Sequence, residues 1–285
     1  MPRINRSSLT CLLALSCVVM TGLPLQAQAD AAKRIAVPLS DPSQPVVLSA
    51  SLIRGSIQVT GHDGAEVIVE ARERVKRKDC DQCDHERKES GKAAGLRRIP
   101  NTSVGLTVEE RDNRVTVSSE SWNRGIELVI QVPRRTSLHL ETVNGGDLLI
   151  SDVEGDHELQ NTNGGISALD VRGSLVANTT NGDVEVRLLE ITPDKAMSFS
   201  TFNGDVEVQL PSSLRATLLL NPGQGEIYTD FEVRLQPVEP VVKSTPRHSG
   251  FKVEVSQEVQ GTVGAQGGPE MRFRTFNGSI YLRKG

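Results

Sequence analysis

Two cysteines and a histidine form the local feature of this sequence that is best suited to chemistry. Cys80 and Cys83 enclose two residues, and His85 follows in the stretch "CDQCDH". Two thiolates, an imidazole and a carboxylate from Asp81 or Asp84 would make a four-ligand zinc site. The same cysteines could close a small disulfide loop in an oxidising compartment or stay free as redox-active thiols, although the adjacent carboxylates disfavour the thiolate. We favour a disulfide between Cys80 and Cys83, with zinc binding and redox chemistry as the alternatives.

A repeated pair of carboxylates is the second candidate for chemistry. Asp183 and Glu185 in "TNGDVEVRL" recur as Asp205 and Glu207 in "FNGDVEVQL". If the two copies are neighbouring strands, equivalent carboxylates lie about 4.8 Å apart on the outer surface. Such a row could bind calcium or serve polysaccharide cleavage, and the other interpretation is a solvated face that keeps the protein soluble. These four residues are the candidate binding residues.

Known catalytic templates are missing from the sequence. It has no H-E-x-x-H metal motif, no P-loop and no G-x-S-x-G nucleophile turn. The five histidines are scattered along the chain. We therefore expect a protein without catalytic activity and without a cofactor.

The N-terminal segment has the pattern of an export signal. Arg3 and Arg6 precede an apolar run over residues 9–23, and Ala27-Gln28-Ala29 forms an A-x-A cleavage site. This predicts a cleaved signal peptide over residues 1–29, no later transmembrane segment, and a periplasmic or secreted protein of the bacterial envelope. Its removal takes away two of 32 basic residues and none of 36 acidic ones, so the net charge changes from −4 to −6. A negative charge argues against general nucleic-acid binding.

The dipeptide Asn-Gly recurs with alternating apolar and polar residues on both sides. The five copies are Asn144-Gly145, Asn163-Gly164, Asn181-Gly182, Asn203-Gly204 and Asn277-Gly278, and the first four are 19, 18 and 22 residues apart. Period-two alternation indicates strands with one buried face. Asn-Gly indicates a tight turn, because both residues tolerate a positive φ.

Two all-β architectures fit strand–turn–strand units of this kind. A near-constant period favours a single-domain β-solenoid with coils of roughly 20 residues, in which equivalent strands stack in parallel. The threonines at 142, 179, 201 and 275 and the asparagines would then each align from coil to coil. The alternative is an antiparallel β-sandwich or barrel built from hairpins.

Two segments interrupt the rhythm and divide the chain. Residues 76–100 form a charged insertion that contains the cysteines, and residues 236–268 form an insertion rich in proline and glycine. We read residues 30–45 as an N-terminal linker or cap and residues 46–285 as one solenoid domain with both insertions looping out. The ends of such a domain need caps, because free strand edges promote association.

The order of these segments resembles a known family. "GSIQVTGHDGAEVIVEA", "IELVIQVPRRTSLHLETVNGGDLLI", "NTNGGISALDVRGSLVANTTNGDVEVRL" and the closing "FRTFNGSIYLRKG" are similar to the putative adhesin family of exported bacterial domains of unknown function. The similarity runs over residues 46–285, less the two insertions. It implies a β-helix-like fold and a location in the cell envelope, and it implies no catalytic residues.

The sequence thus predicts an exported, non-enzymatic binding or structural scaffold of the cell envelope, with an envelope polymer or protein as its partner. The alternatives are a polysaccharide-acting enzyme that uses the Asp183 and Asp205 face, and a metal or redox sensor that uses the Cys80 and Cys83 loop.

Overall fold

Strands account for all the regular secondary structure that the computed structural model describes, which confirms the all-β prediction for those residues. It describes residues 33–74, 105–119, 124–236, 242–247, 250–255, 258–265 and 267–285. The strands are, in chain order, β1 (Lys33–Pro38), β2 (Val46–His62), β3 (Glu66–Glu73), β4 (Leu106–Arg111), β5 (Arg114–Ser119), β6 (Ile126–Pro133), β7 (Thr136–Asn144), β8 (Leu148–Ser151), β9 (Glu154–Asn163), β10 (Ile166–Asn178), β11 (Val184–Ile191), β12 (Met197–Ser200), β13 (Val206–Leu210), β14 (Ala216–Asn221), β15 (Ile227–Thr229), β16 (Val233–Gln236), β17 (Val242–Arg247), β18 (Gly250–Val255), β19 (Val259–Val263), β20 (Glu270–Arg274) and β21 (Ile280–Lys284).

Strand pairing follows two ladders, which share the long strands β2 and β10. The first ladder has the order β1–β3–β6–β2–β8–β10–β11–β13–β21–β15. The second ladder has the order β4–β5–β2–β7–β9–β10–β12–β20–β14–β19–β16. Pairing is parallel except near the ends, and the shared strands close β2, β7, β9, β10 and β8 into a ring. Strands β17 and β18 pair only with each other among the described residues.

The stacking order differs from the chain order at both ends. The C-terminal pair β20 and β21 lies between β12 and β14 in the second ladder and between β13 and β15 in the first. Strand β2 likewise lies between β5 and β7 and between β6 and β8. We use coil for a strand segment of the second ladder together with the segment of the first ladder that follows it in the chain. The coils of β2 and of β20–β21 are therefore each held on both sides by strands that are distant in sequence.

Each Asn-Gly pair is a corner at which the chain passes from the second ladder to the first. The asparagines form a row in which each side-chain amide donates to the side-chain oxygen of the asparagine in the coil before it in the stack, at 3.2, 2.9, 2.7 and 2.7 Å. Parallel bridges join Asn163, Asn181, Asn203 and Asn277 in turn, which confirms their predicted alignment. The amides of this row bond to one another, which explains why the residue type recurs.

Buried polar side chains line the inner side of the same corners. The hydroxyls of Thr142, Thr179, Thr201 and Thr275 donate to glycine carbonyls at 2.8–3.0 Å, and Asn161 donates to the carbonyl of Gly146 at 3.0 Å. All five side chains are buried. Burial of a backbone carbonyl is costly unless it accepts a hydrogen bond, so the corner needs a donor at this position.

Replacing Thr179 with valine tests that need. The change keeps the shape and removes only the hydroxyl that bonds Gly164 at 2.8 Å, so we expect the free energy of unfolding to fall by about 1–3 kcal/mol. The exposed neighbour Thr180 is the control, and Thr180→Val should stay within about 0.5 kcal/mol of the parent. Urea denaturation of both variants measures the difference, and equal midpoints would rule out the proposed role of the hydroxyl.

Between the turns and corners, the buried side chains of the described strands are apolar with one exception. Val184, Val206 and Ile280 stack in the first ladder, and Phe199 and Phe273 stack in the second with ring centroids 5.1 Å apart. All five are fully buried. The exception is the ring of His157, which lies in register between Leu138 and Leu175 and is 3% exposed.

Candidate functional site

The cysteine site of the sequence analysis lies outside the described residues. Cys80, Cys83 and His85 fall in the undescribed stretch 75–104, so the disulfide and its zinc and redox alternatives stay predictions. Within the described ranges, no group of three or more His, Cys, Asp or Glu side chains is placed to hold a metal ion. Within the same ranges, no helix is long and apolar enough to cross a membrane.

The four predicted carboxylates lie together on the first ladder. Glu185 on β11 is the direct cross-strand partner of Glu207 on β13. Asp183 and Asp205 stand just before those strands, and Oδ1 of Asp183 accepts a hydrogen bond from the amide of Asp205 at 2.9 Å. The two glutamates and the two aspartates therefore have different surroundings.

The aspartates are bound to the main chain of the next coil. Asp205 repeats the contact of Asp183 by accepting from the amide of Ser279 at 2.7 Å, and Asp147 accepts from the amide of Gly165 at 2.8 Å. One oxygen of each carboxylate thus caps an amide where the corner enters the first ladder. This contact gives the aspartates a structural role in coil stacking.

The glutamates belong to a surface that continues across four strands. In register on the outer side of the first ladder lie Glu185, Glu207, Tyr281 and Tyr228. A parallel row beside them contains Arg187, Gln209 and Arg283. We call these seven side chains the outer face.

The charges of the outer face are paired unevenly. Arg283 Nε lies 2.5 Å from Glu207 Oε1, and both side chains are about half exposed. Arg187 makes a two-pronged contact with Asp170 at 2.9 and 2.8 Å. Glu185 has no ion pair among the described residues, and it lies opposite another glutamate. Like charges in direct cross-strand contact are destabilising.

The opposite corner of the coils shows the contrasting arrangement. Arg135, Glu154, Arg172 and Glu190 follow one another in register with alternating sign. They line part of a cleft of about 430 Å³, which Asp156 and Lys195 also line. Hydrogen bonds from Lys195 and Ser174 hold the pKa of the Asp156 carboxyl below its usual range. Charges there alternate in sign within the protein, whereas Glu185, which has no ion pair among the described residues, leaves negative charge available to a ligand.

Aromatic side chains are concentrated in the same coils. Tyr281 and Tyr228 stack with ring centroids 5.1 Å apart, and Tyr228 is 47% exposed. Phe202 and Phe276 stack at 4.8 Å at the neighbouring corner and are also largely exposed. Exposed aromatic groups mark binding surfaces more often than isolated aliphatic residues do.

The tyrosines were missed by the sequence analysis. Tyr228 precedes Tyr281 by 53 residues, and the two rings meet only because β21 is inserted next to β15. The sequence held one signal for Tyr281: it occupies the same position in its copy of the repeat as Glu207 does in its own copy.

Comparisons with known proteins yield distant structural likenesses. No family model and no curated protein sequence matches the chain. A crystal structure of a putative cell adhesion protein from Clostridium sporogenes is similar with a TM-score of 0.44 at 10% identity, over 90% of this chain and 100% of that one. A putative adhesin from Bacteroides fragilis has a TM-score of 0.37 at 11% identity, over 90% of this chain and 98% of that one.

Proposed function

We propose that this protein is an exported, adhesin-like scaffold of the bacterial cell envelope, which binds a surface polymer or protein through the outer face and catalyses no reaction. The observation that carries the proposal is the register of that face. Two stacked tyrosines, two neighbouring glutamates and flanking arginines form one continuous strip over β11, β13, β21 and β15. Such a strip suits a long or flat partner better than a small substrate.

We also propose that the fold is a β-solenoid and that the chain belongs to the adhesin family that its repeat resembles. The support for this proposal is the parallel pairing between successive coils and the asparagine row along one corner. A scaffold of stacked coils displays equivalent side chains at regular intervals. Side chains that recur at regular intervals along a surface can each contact one unit of a repetitive partner.

A non-enzymatic role is supported by the contacts of Asp183 and Asp205. Each uses one carboxylate oxygen to cap an amide of the next coil. A pair of catalytic carboxylates needs oxygens that face the scissile bond on both sides, and the capping contact holds these groups against their own main chain. Export and an envelope location follow from the pattern of residues 1–29.

Cosedimentation tests the proposed binding face. The full chain, expressed with its own N-terminal segment, is mixed with insoluble cell-envelope fractions, and bound protein is measured against concentration. Tyr281→Ala and Glu185→Ala should each weaken binding about tenfold, as expected for central contacts of an interface. Leu149→Ala and Ser167→Ala are matched controls in the same row of the first ladder and should bind like the parent.

Two results would contradict the proposal. One is binding to the envelope fractions that none of the outer-face variants changes, which would place the site elsewhere. The other is the absence of binding to any fraction by a folded parent protein. Denaturation curves for each variant ensure that a loss of binding is not a loss of structure.

A further inference from the structure

In the part of the chain that the structure describes, the first ladder ends in a strand whose outer edge has no partner strand. Among the described residues, β15 pairs only with β21. The carbonyl of Glu226 accepts from Ile280 at 2.9 Å, and the amide of Asp230 donates to Leu282 at 3.3 Å. Main-chain groups alternate in direction along a strand, so Ile227 and Thr229 direct their N–H and C=O groups away from β21.

This edge lacks the protection found at the other end of the molecule. The outermost strands there are β1, which contains Lys33, Arg34 and Pro38, and β4, which ends in Glu109, Glu110 and Arg111. Charged residues and proline on an edge strand discourage pairing with another chain. Strand β15 has the sequence Ile-Tyr-Thr and carries neither, so its protection is limited to its short length of three residues.

The aromatic stack also ends at this edge. Tyr228 stacks on Tyr281 with an angle of 8° between the rings, and within the described residues no ring covers its other side. An added strand with an aromatic residue opposite Tyr228 would extend the stack by one ring. Cross-strand aromatic pairs of this kind stabilise sheets.

The charges beside Tyr228 select between partners. Glu226 and Asp230 lie two residues to either side of it, and all three side chains are exposed. One oxygen of Glu226 accepts from the Tyr228 hydroxyl, and Oδ1 of Asp230 accepts from the amide of Lys284 at 2.9 Å, but no ion pair with a described residue neutralises either charge. If two copies of β15 paired antiparallel about Tyr228, Glu226 of each copy would face Asp230 of the other. Like charges oppose that pairing, whereas lysine or arginine at the same positions of a different strand would be attracted.

We propose that the open edge of β15 binds an extended segment of a partner protein by strand addition, and that this segment carries an aromatic residue with a basic residue two positions to each side. The main-chain groups of Ile227 and Thr229 supply the hydrogen bonds, as in other edge-strand complexes. Tyr228 supplies the stacking surface, and Glu226 and Asp230 set the charge preference. This site shares Tyr228 with the outer face but goes beyond that face, because its main contacts come from the backbone.

A labelled peptide tests the edge site by fluorescence polarisation. The probe is acetyl-Thr-Lys-Val-Tyr-Val-Lys-Thr-amide, and its charge-reversed counterpart has glutamate in place of both lysines. The parent chain should bind the basic peptide with a Kd below about 1 mM and the acidic peptide about tenfold more weakly, since two exposed charge pairs change sign. The double variant Glu226→Lys/Asp230→Lys should reverse that preference.

Further variants separate this site from its surroundings. Tyr228→Ala should weaken the basic peptide about fivefold or more, and Phe202→Ala, which removes a ring from the other exposed pair, should not. Glu185→Ala should leave peptide binding unchanged, so that the edge site and the outer face can fail independently. An unchanged charge preference in the double variant, no binding of either peptide at 1 mM, or concentration-dependent dimerisation of the parent through β15 would each overturn the proposal.

Discussion

Gly204→Ala is expected to destabilise the protein severely, although it adds a single methyl group. Gly204 has a φ of +146°, which side-chain-bearing residues rarely adopt. A Cβ there would lie 2.3 Å from the carbonyl oxygen of Gly182 and 2.7 Å from Oδ1 of Asp183. Backbone strain of about 1–3 kcal/mol and overpacking of about 1–3 kcal/mol together predict a loss of about 2–6 kcal/mol.

Gly145→Ala is the matched control in the first corner. Gly145 also has a positive φ, +76°, but a Cβ there would meet no atom of the described residues within 4 Å. Its expected cost is therefore only the conformational term of about 1–2 kcal/mol. Urea denaturation should place Gly204→Ala well below Gly145→Ala, and equal losses would show that contact between the corners is not the constraint.

His157→Leu is expected to stabilise the protein, and to do so most strongly in acid. The ring is buried, and neither of its nitrogens has a hydrogen-bond partner among the described residues. Such an unpaired group costs about 1–3 kcal/mol. Leucine has a similar size and occupies the equivalent positions 138 and 175 on both sides, so the replacement removes the polar atoms and keeps the packing.

The acid effect follows from the pKa of His157. Burial lowers it from 6.5 to about 4, because desolvation outweighs the opposing influences of the Arg172 main chain, which lies near the ring without hydrogen-bond geometry, and of the Asp156 carboxylate. Between those pH values the unfolded chain binds a proton that the folded chain does not. The parent therefore loses stability as the pH falls from 6.5 towards 4, whereas the leucine variant has no such group and is spared that loss.

The size of this effect can be measured against the parent. A depression of that size corresponds to about 3 kcal/mol, so the advantage of His157→Leu should grow by about 3 kcal/mol between pH 7.5 and pH 4. Unfolding in urea across this range gives the values. A constant difference between His157→Leu and the parent would refute the assignment.

Much of the local structure could be predicted from the sequence, because its signals are local. Alternation of apolar and polar residues reports which side of a strand is buried, and this held for the strands that flank Asn203 and Asn277. The asparagine alignment could be predicted because identical side chains recur at one position of each unit. The glutamates at 185 and 207 were correctly placed on an outward surface for the same reason.

The order in which the coils stack could not be predicted in this way. Coils with the same apolar–polar pattern could pair with one another in any order. The pattern of residues 270–285 therefore does not indicate that they lie between β12–β13 and β14–β15. The position of β20 and β21 between these strands decides the candidate sites, because it brings Tyr281 against Tyr228 and leaves β15 at the edge.

The sequence by itself therefore determined the strands, the corners and the side of each strand that faces water, because these depend on residues a few positions apart. Only the tertiary structure decided which coils touch. The contacts of Glu185 with Glu207, of His157 with two leucines, and of Tyr228 with Tyr281 all join different coils. Their energies depend on that choice of neighbour, which is made by the packing of the whole stack.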